Sequence, residues 1–191
     1  MKKLVGLLST LVFAVNAHAT LISLDFDKDQ YAVGDQVSAD IVISDIETEF
    51  GFQKLLGGFS MNVNFDDSLL AFDQATFGDK LNGGFTMDSM TNVLSGAGIL
   101  LLEEISFSFD LFNFQNGVPS FTLATVQFTA LAEGSGTPSF SNIELTNDIG
   151  DAFVSVNSGS ELLTIGSAQA IPEPHMLALL LPFMFLAVRK K

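Results

Sequence analysis

The sequence predicts an all-β fold, an antiparallel β-sandwich. Apolar and polar residues alternate one by one through several short runs, as in strands that bury one face and expose the other. Turns rich in Gly, Asn and Asp separate these runs at near-regular spacing. Short strands without an amphipathic helix of useful length between them favour a sandwich or jelly roll over alternating strand–helix units.

The first half of the body contains four predicted strands, each defined by this alternation. In residues 21–29, Ile22, Leu24 and Phe26 share one face, and polar residues occupy the other. The next three predicted strands are residues 37–44, 59–65 and 69–72, with a loop over residues 45–58.

The second half begins with a stretch rich in Gly, Asn, Asp and Ser. This stretch, residues 78–98, predicts a long loop with one short strand near residues 85–87. Alternation then resumes, and the remaining predicted strands are residues 99–111, 121–130, 139–146, 152–156 and 161–165. Phe occupies many inward positions of these strands, which predicts an aromatic core rather than a ligand platform.

The first residues are typical of a secretory signal peptide over residues 1–19. A basic start, Met1-Lys2-Lys3, is followed by an apolar run over residues 4–15. Ala17 and Ala19 then form an A-x-A cleavage site, so signal peptidase is expected to leave a mature chain that begins at Thr20.

The last residues combine a short box, an apolar run and a basic end. Pro172, Glu173 and Pro174 precede the apolar residues 176–188, which predict a single helix. That helix rises about 20 Å, and including residues 171–175 brings it to about 27 Å, enough for a thin membrane. The basic end would stay on the cytoplasmic side. It consists of Arg189, Lys190 and Lys191.

This order of box, helix and basic cluster resembles the PEP-CTERM sorting signal. The resemblance implies export across the inner membrane of a Gram-negative bacterium, a membrane-anchored stage, and cutting near the box by an exosortase. The mature protein is then expected at the cell surface or in the extracellular matrix. The expected organisation is a signal peptide (1–19), a β-sandwich domain (20–166), a short linker (167–171) and a sorting segment (172–191).

The body between the end segments is strongly acidic. The whole chain has a formal charge of −14, but five of its eight basic residues lie in the end segments. Only Lys28, Lys54 and Lys80 remain in the body, against all but one of the 22 acidic residues. Such a field disfavours nucleic acid and anionic lipid as partners, and its general effect is solubility.

Missing residue types exclude several kinds of chemistry. The chain has no Cys, which excludes disulfides, thiolate nucleophiles and Cys-type zinc sites. Its two His residues, His18 and His175, and its one Arg lie in the end segments. The body therefore offers no Ser-His-Asp triad and no arginine clamp, so catalysis there would depend on carboxylates alone.

Four segments together resemble the cohesin domain. These are YAVGDQV (31–37), FSMNVNFDDSLLAF (59–72), FTLATVQFTA (121–130) and FSNIELTNDIGD (140–151). The resemblance implies a nine-stranded jelly-roll sandwich of the type shared with carbohydrate-binding modules. In cohesins that bind dockerins, outward residues of the third strand help to hold the partner, and the corresponding face here is Gly58, Ser60, Asn62 and Asn64.

The acidic residues leave two further interpretations open. Calcium, which needs six to eight oxygens, has weak candidate ligands without a loop of EF-hand spacing. These candidates are Asp25, Asp27, Asp29, Asp148 and Asp151. Glu103-Glu104 would contribute to a glycosidase site only if another acid lay about 5 to 9.5 Å away.

Three functional hypotheses follow from these observations. The first is a non-catalytic surface or matrix module, without a cofactor, that binds a protein partner. The second is a carbohydrate-binding component of the exopolysaccharide or biofilm matrix, although Trp is absent and only Tyr31 offers the ring usually stacked against sugars. The third is a glycoside hydrolase that works through carboxylates.

Overall fold

Two β-sheets packed face to face form the body of the protein. The computed structural model describes residues 19–49, 51–85 and 87–167. In chain order the elements are β1 (Thr20–Phe26), β2 (Tyr31–Ala32), β3 (Gln36–Ser44), β4 (Thr48–Glu49), β5 (Phe52–Gln53), β6 (Leu56–Asn64), β7 (Leu70–Phe77), β8 (Ser89–Gly96), β9 (Ile99–Ser106), α1 (Leu111–Gln115), β10 (Ser120–Ala130), β11 (Gly134–Gly136), β12 (Ser139–Asn147), β13 (Val156–Ser160) and β14 (Leu163–Gly166).

The larger sheets contain five and four strands. The five-stranded sheet has the order β13-β1-β3-β10-β7, and the four-stranded sheet has the order β12-β6-β9-β8. Two small sheets, β11-β14-β2 and β4-β5, flank them. The all-β sandwich prediction is confirmed, and the two larger sheets together hold nine strands.

Two strand pairs depart from the predicted antiparallel arrangement. β13 runs parallel to β1, and β14 runs parallel to β2. Hairpins produce antiparallel neighbours, but β13 reaches β1 through a connection from the other sheet. A connection of this kind does not have to reverse the chain direction between paired strands, so β13 can run parallel to β1.

The core lies between the two larger sheets and is built by alternation. On β3 the inward residues from Val37 to Ile43 are at most 1% exposed, and Met61 and Val63 of β6 face them from the other sheet. Aromatic rings fill the centre, as predicted from the sequence. The ring of Phe128 packs 5.0 Å from that of Phe65, between centroids, in an edge arrangement.

The largest departure from the predicted strands is β8. It occupies part of residues 78–98, which the sequence predicts as a loop, whereas Phe85 and Met87 lie in the turn before it. Seven of its eight residues are exposed, so neither face imposes the apolar alternation by which a strand is recognised. In residues 99–111, β9 ends at Ser106 and Leu111 begins α1. The predicted strand 152–156 is also wrong, because β13 begins only at Val156 and ends at Ser160.

The proposed end segments fall largely outside the described residues. Residues 1–18 and 168–191 contain most of the predicted signal peptide, nearly all of the linker, the sorting motif and the C-terminal helix. Within residues 19–49, 51–85 and 87–167, no helix is long and apolar enough to cross a membrane.

A buried glutamine fixes the start of β6. The side chain of Gln115 is fully buried and accepts a hydrogen bond from the N–H of Leu56 at 2.7 Å. Its Nε2 donates to the carbonyl oxygens of Leu56 at 2.8 Å and of Lys80 at 3.1 Å. This one side chain therefore connects α1, β6 and the segment before β8.

Replacing this glutamine with an apolar residue of similar size should destabilise the protein. We expect Gln115→Leu to lower the free energy of unfolding by about 3 kcal/mol, because it leaves buried backbone groups of Leu56 without partners. Urea unfolding measures the change, with Gln30→Leu as the control, since Gln30 is exposed. Equal stability of the two variants would contradict this role for Gln115.

Candidate partner-binding face

The four-stranded sheet buries one face and leaves the other open. Phe59, Met61 and Val63 of β6 point into the core, so the residues between them point outward. We call the open side the outer face. It consists of Gly58, Ser60, Asn62 and Asn64 on β6, Ile99, Leu101, Glu103 and Ile105 on β9, Met90, Asn92 and Leu94 on β8, and Ser139, Ser141, Glu144 and Thr146 on β12.

The residues predicted as the partner-binding face thus form one column near the middle of the sheet. Ser60, Asn62 and Asn64 are partly exposed, whereas Gly58 is buried. A Cβ built at Gly58 would lie 3.1 Å from the carbonyl oxygen of Glu104. Gly58 therefore contributes only backbone to the outer face, which is recessed at this position.

A carboxylate held from both sides forms the polar centre of the outer face. Oε1 of Glu103 accepts a hydrogen bond from the hydroxyl of Ser60 at 3.0 Å. Its Oε2 accepts one from the amide of Asn92 at 2.8 Å. Because the donors belong to the two strands that flank β9, the carboxylate is fixed in position before any partner arrives.

Exposed apolar side chains flank this polar centre on β8 and β9. Met90 is 58% exposed, Ile105 49% and Leu94 59%. Met90 pairs with Ile105 across the two strands, and both line a shallow hollow of about 580 Å³. Glu103 and Glu144 border the same hollow, so it combines apolar area with negative charge.

Glu104 lies on the opposite side of β9 from Glu103 and points into the core. It is 1% exposed, and its Oε2 has no hydrogen-bond partner among the described residues. The amide of Asn82 donates to its Oε1 at 3.4 Å. Burial raises the pKa of Glu104 above its ordinary value, and the side chains of Ser89 and Asn82 act in the opposite direction.

The two glutamates considered for glycoside hydrolysis therefore do not converge on one site. The acid that shares a row of the outer face with Glu103 is Glu144, two strand spacings away across Ser60. Glu103 accepts hydrogen bonds through both oxygens, and Glu104 is buried on the other side of the sheet, so the two cannot act on one substrate as acid and base.

One of the three calcium candidates near the N-terminus, Asp27, has another role in the fold. Asp27 accepts hydrogen bonds from the hydroxyl of Tyr31 and the N–H of Ser38. Burial and the neighbouring Asp27 carboxylate raise the pKa of Tyr31 above its ordinary range. Asp25 and Asp29 are exposed.

The second candidate group lies in a turn closed by an amide. Oδ1 of Asn147 accepts hydrogen bonds from the N–H groups of Ile149 at 3.1 Å and Asp151 at 2.7 Å. The carboxylates of Asp148 and Asp151 are not needed to close this turn. Across the described ranges, no three Asp, Glu or His side chains gather as a metal site would require.

The sequence did not indicate the contribution of β8 to the outer face. Met90, Asn92 and Leu94 lie in a Ser- and Asn-containing stretch without alternating burial. Their only signal was the apolar content of Met90, Val93 and Leu94 within a segment otherwise typical of a loop.

Comparisons with known proteins place the fold. No protein-family model and no curated protein matches the sequence. Solved structures do match, and among them is the type II cohesin A11 from Bacteroides cellulosolvens. It has a TM-score of 0.63 and 17% identity, covering 76% of this chain and 99% of that one.

Two further matches come from different settings. One is a type II cohesin-X-dockerin complex from Acetivibrio cellulolyticus, with a TM-score of 0.62, 19% identity, and coverage of 77% of this chain and 99% of that one. The other is a non-cellulosomal cohesin from the archaeon Archaeoglobus fulgidus, with a TM-score of 0.57, 14% identity, and coverage of 79% and 94%. The protein therefore has a cohesin-like all-β sandwich fold.

The buried carboxyl of Glu104 should make stability depend on pH. A raised pKa in the folded state means that its contribution is fully present below the unfolded pKa, near 4.5, and is lost as pH rises through the folded value. We expect Glu104→Gln, which keeps the shape without the charge, to stabilise the protein at pH 8 relative to its effect at pH 4.

Urea unfolding at the two pH values measures this difference. Glu133→Gln, at an exposed position, is the control and should show no such dependence. If Glu104→Gln changed stability by the same amount at both pH values, burial of an ionised Glu104 would not be a cost to the fold.

Proposed function

We propose that this protein is a non-catalytic module that binds a protein partner through the outer face. The observation that carries this proposal is the combination on that face of a fixed carboxylate, Glu103, with the exposed Leu94 and with exposed Met90 and Ile105, which line a shallow hollow. Protein interfaces bring exposed apolar side chains and oriented polar groups together on one surface, and this face contains both. One of the matched cohesins was solved as a complex with a dockerin, which supports the same use of the fold.

The charge of the face specifies the chemistry of the partner. Glu103 and Glu144 border the hollow, and no lysine lies on the outer face as defined above. In the described structure each body lysine is engaged elsewhere: Lys54 with Glu47, Lys80 with Asp79, and Lys28 over the ring of Tyr31. The matching partner surface presents basic side chains beside apolar ones, and binding should weaken as salt increases.

The outer face favours a protein over a polysaccharide. Sugar-binding surfaces usually stack aromatic rings against the sugar, and none of the residues that define the outer face is aromatic. A bound polysaccharide would have to use another surface of the domain.

We further propose that the module is exported and then sorted by an exosortase. The support comes from the two end segments of the sequence, residues 1–19 and 172–191. The strands of the sandwich run from Thr20 to Gly166, so both segments lie outside the elements of the domain. In this proposal the module works at the cell surface or in the extracellular matrix.

A bulky charge in the middle of the outer face should abolish partner binding. We expect Asn62→Arg to weaken binding at least about tenfold without a loss of folding, because Asn62 is partly exposed at the centre of the sheet. The matched control is Gln74→Arg on β7, an exposed position of the other sheet. Immobilised protein is tested against the secreted proteins and the polysaccharide of the host.

The pattern across the variants decides the outcome. A secreted protein retained by the natural chain and by Gln74→Arg, but not by Asn62→Arg, supports the proposal. Retention of polysaccharide alone would overturn it in favour of a carbohydrate-binding module. Equal losses in both variants would show that binding does not use the outer face.

Sorting should leave defined ends on the mature protein. We expect mass spectrometry of surface material to find a chain that begins at Thr20 and lacks Arg189, Lys190 and Lys191. Replacing Pro172, Glu173 and Pro174 with alanine should retain the C-terminal segment. A natural chain at the surface that still ends in Lys191 would contradict exosortase processing.

A further inference from the structure

The outermost strand of the four-stranded sheet has an unprotected edge. β8 pairs with β9 along its full length, from Ser89 opposite Ser106 to Gly96 opposite Ile99. Within the described chain no backbone hydrogen bond joins β8 to any element other than β9, apart from the turns at its ends. Alternate N–H and C=O groups of β8 therefore point away from the sheet, where they can pair with another strand.

The other three outer edges of the larger sheets carry features that oppose strand addition. β7 contains Asp73, and its pairing with β10 shifts register between Gln127 and Phe128. β12 contains Glu144 and two register shifts. β13 has only five residues. Charges, irregular pairing and short length are the usual devices that keep edges apart.

β8 has none of these devices. Its sequence, SMTNVLSG, contains no charged residue and no proline, and its eight pairs with β9 keep one register. Met90 and Leu94 are 58% and 59% exposed, so added contacts would bury apolar side chains. The domain is strongly acidic, so an eight-residue edge strand without any charge is where another protein chain can approach the backbone most closely.

We propose that β8 pairs with β8 of a second copy of this chain, in antiparallel orientation about a two-fold axis at Asn92. This register keeps the outer faces of both copies on the same side of a continuous eight-stranded sheet. Met90 of each copy then lies opposite Leu94 of the other. The two-fold symmetry therefore pairs the apolar residues of one β8 with those of the other.

Charge repulsion does not prevent this pairing. The nearest acid on the outer face is Glu103 of β9, which is partly exposed, and in the dimer its two copies are separated by three strand spacings, about 14 Å. That distance exceeds the screening length of about 8 Å at physiological salt. Asp88, which precedes β8, lies opposite the uncharged Gly96 of the other copy, and the two Asp88 residues are eight strand residues apart, about 26 Å.

The dimer extends the proposed function without depending on it. The pairing uses the backbone edge of β8 and brings Met90 and Leu94 of the outer face to the seam, whereas Glu103 and the β6 column lie further inside the sheet. Two outer faces would form one surface that presents two partner sites side by side, and linked sites raise the overall strength of binding to a partner with repeated motifs.

The absence of cysteine from the chain makes a direct test simple. In the paired register, the two Asn92 backbones lie about 4.5 to 5.5 Å apart between Cα atoms, a distance that a disulfide spans. We expect Asn92→Cys to form a disulfide-linked dimer under mild oxidation at least about tenfold faster than Thr76→Cys, which places the thiol at an exposed site on the edge strand β7.

Sedimentation equilibrium of the cysteine-free chain provides an independent measurement. We expect a monomer–dimer equilibrium that Thr91→Lys shifts towards monomer at least tenfold, since a charge then lies in the new strand pair. Thr76→Lys, the same substitution on the β7 edge, should leave the equilibrium unchanged. Circular dichroism of each variant checks the fold.

Three results would overturn the proposal. The first is a natural chain that stays monomeric up to millimolar concentration, which would leave the β8 edge to an extended segment of another protein. The second is cross-linking through Cys at positions 92 and 76 at equal rates. The third is equal dissociation by both lysine variants, which would indicate a general charge effect. None of these results bears on whether Asn62→Arg abolishes partner binding.

Discussion

Within residues 19–49, 51–85 and 87–167, the four-stranded sheet packs against the five-stranded sheet on one face, and this constraint determines most of the molecule. The five-stranded sheet covers one of its faces, so β6 must place Phe59, Met61 and Val63 on that side. A shift of one residue would turn all three to solvent, which fixes the register of β6 against β9. Ser60 and Asn62 are consequently outward. The residues of the outer face are therefore those that alternate with the core residues along each strand.

The requirement that alternate residues of β9 face the core also places an ionisable residue, Glu104, in a buried position. Alternation along β9 places Leu100, Leu102 and Glu104 on the inward side and Glu103 on the outer face. A carboxylate at that depth loses hydration, and the weak contact with Asn82 does not replace it. The adjacent glutamates therefore have opposite environments, although the sequence presents them as a pair. One is an oriented surface acceptor, and the other favours the neutral form.

The sequence predicts those parts of the fold in which one face of a strand is buried and the other is not. That condition holds for β1, β3 and β6, and the outward column of β6 followed directly. It fails for β8, which is exposed on both faces. It is interrupted in β10, where a bulge between Thr122 and Ala124 leaves two consecutive residues, Leu123 and Ala124, buried. Nothing local to β13 encodes its parallel pairing, because direction depends on the path between sheets.

The positions of the first and last strands relate the outer face to the proposed anchor. β1 begins at Thr20, whose hydroxyl accepts a hydrogen bond from the N–H of Glu47 near the start of β6. β14 ends at Gly166 beside Ala32, beyond the other end of β1. A tether that follows Gly166 would therefore hold the end of the sandwich near Met90 away from the membrane. Met90 and Ile105 would then point away from the membrane during the anchored stage that precedes cutting.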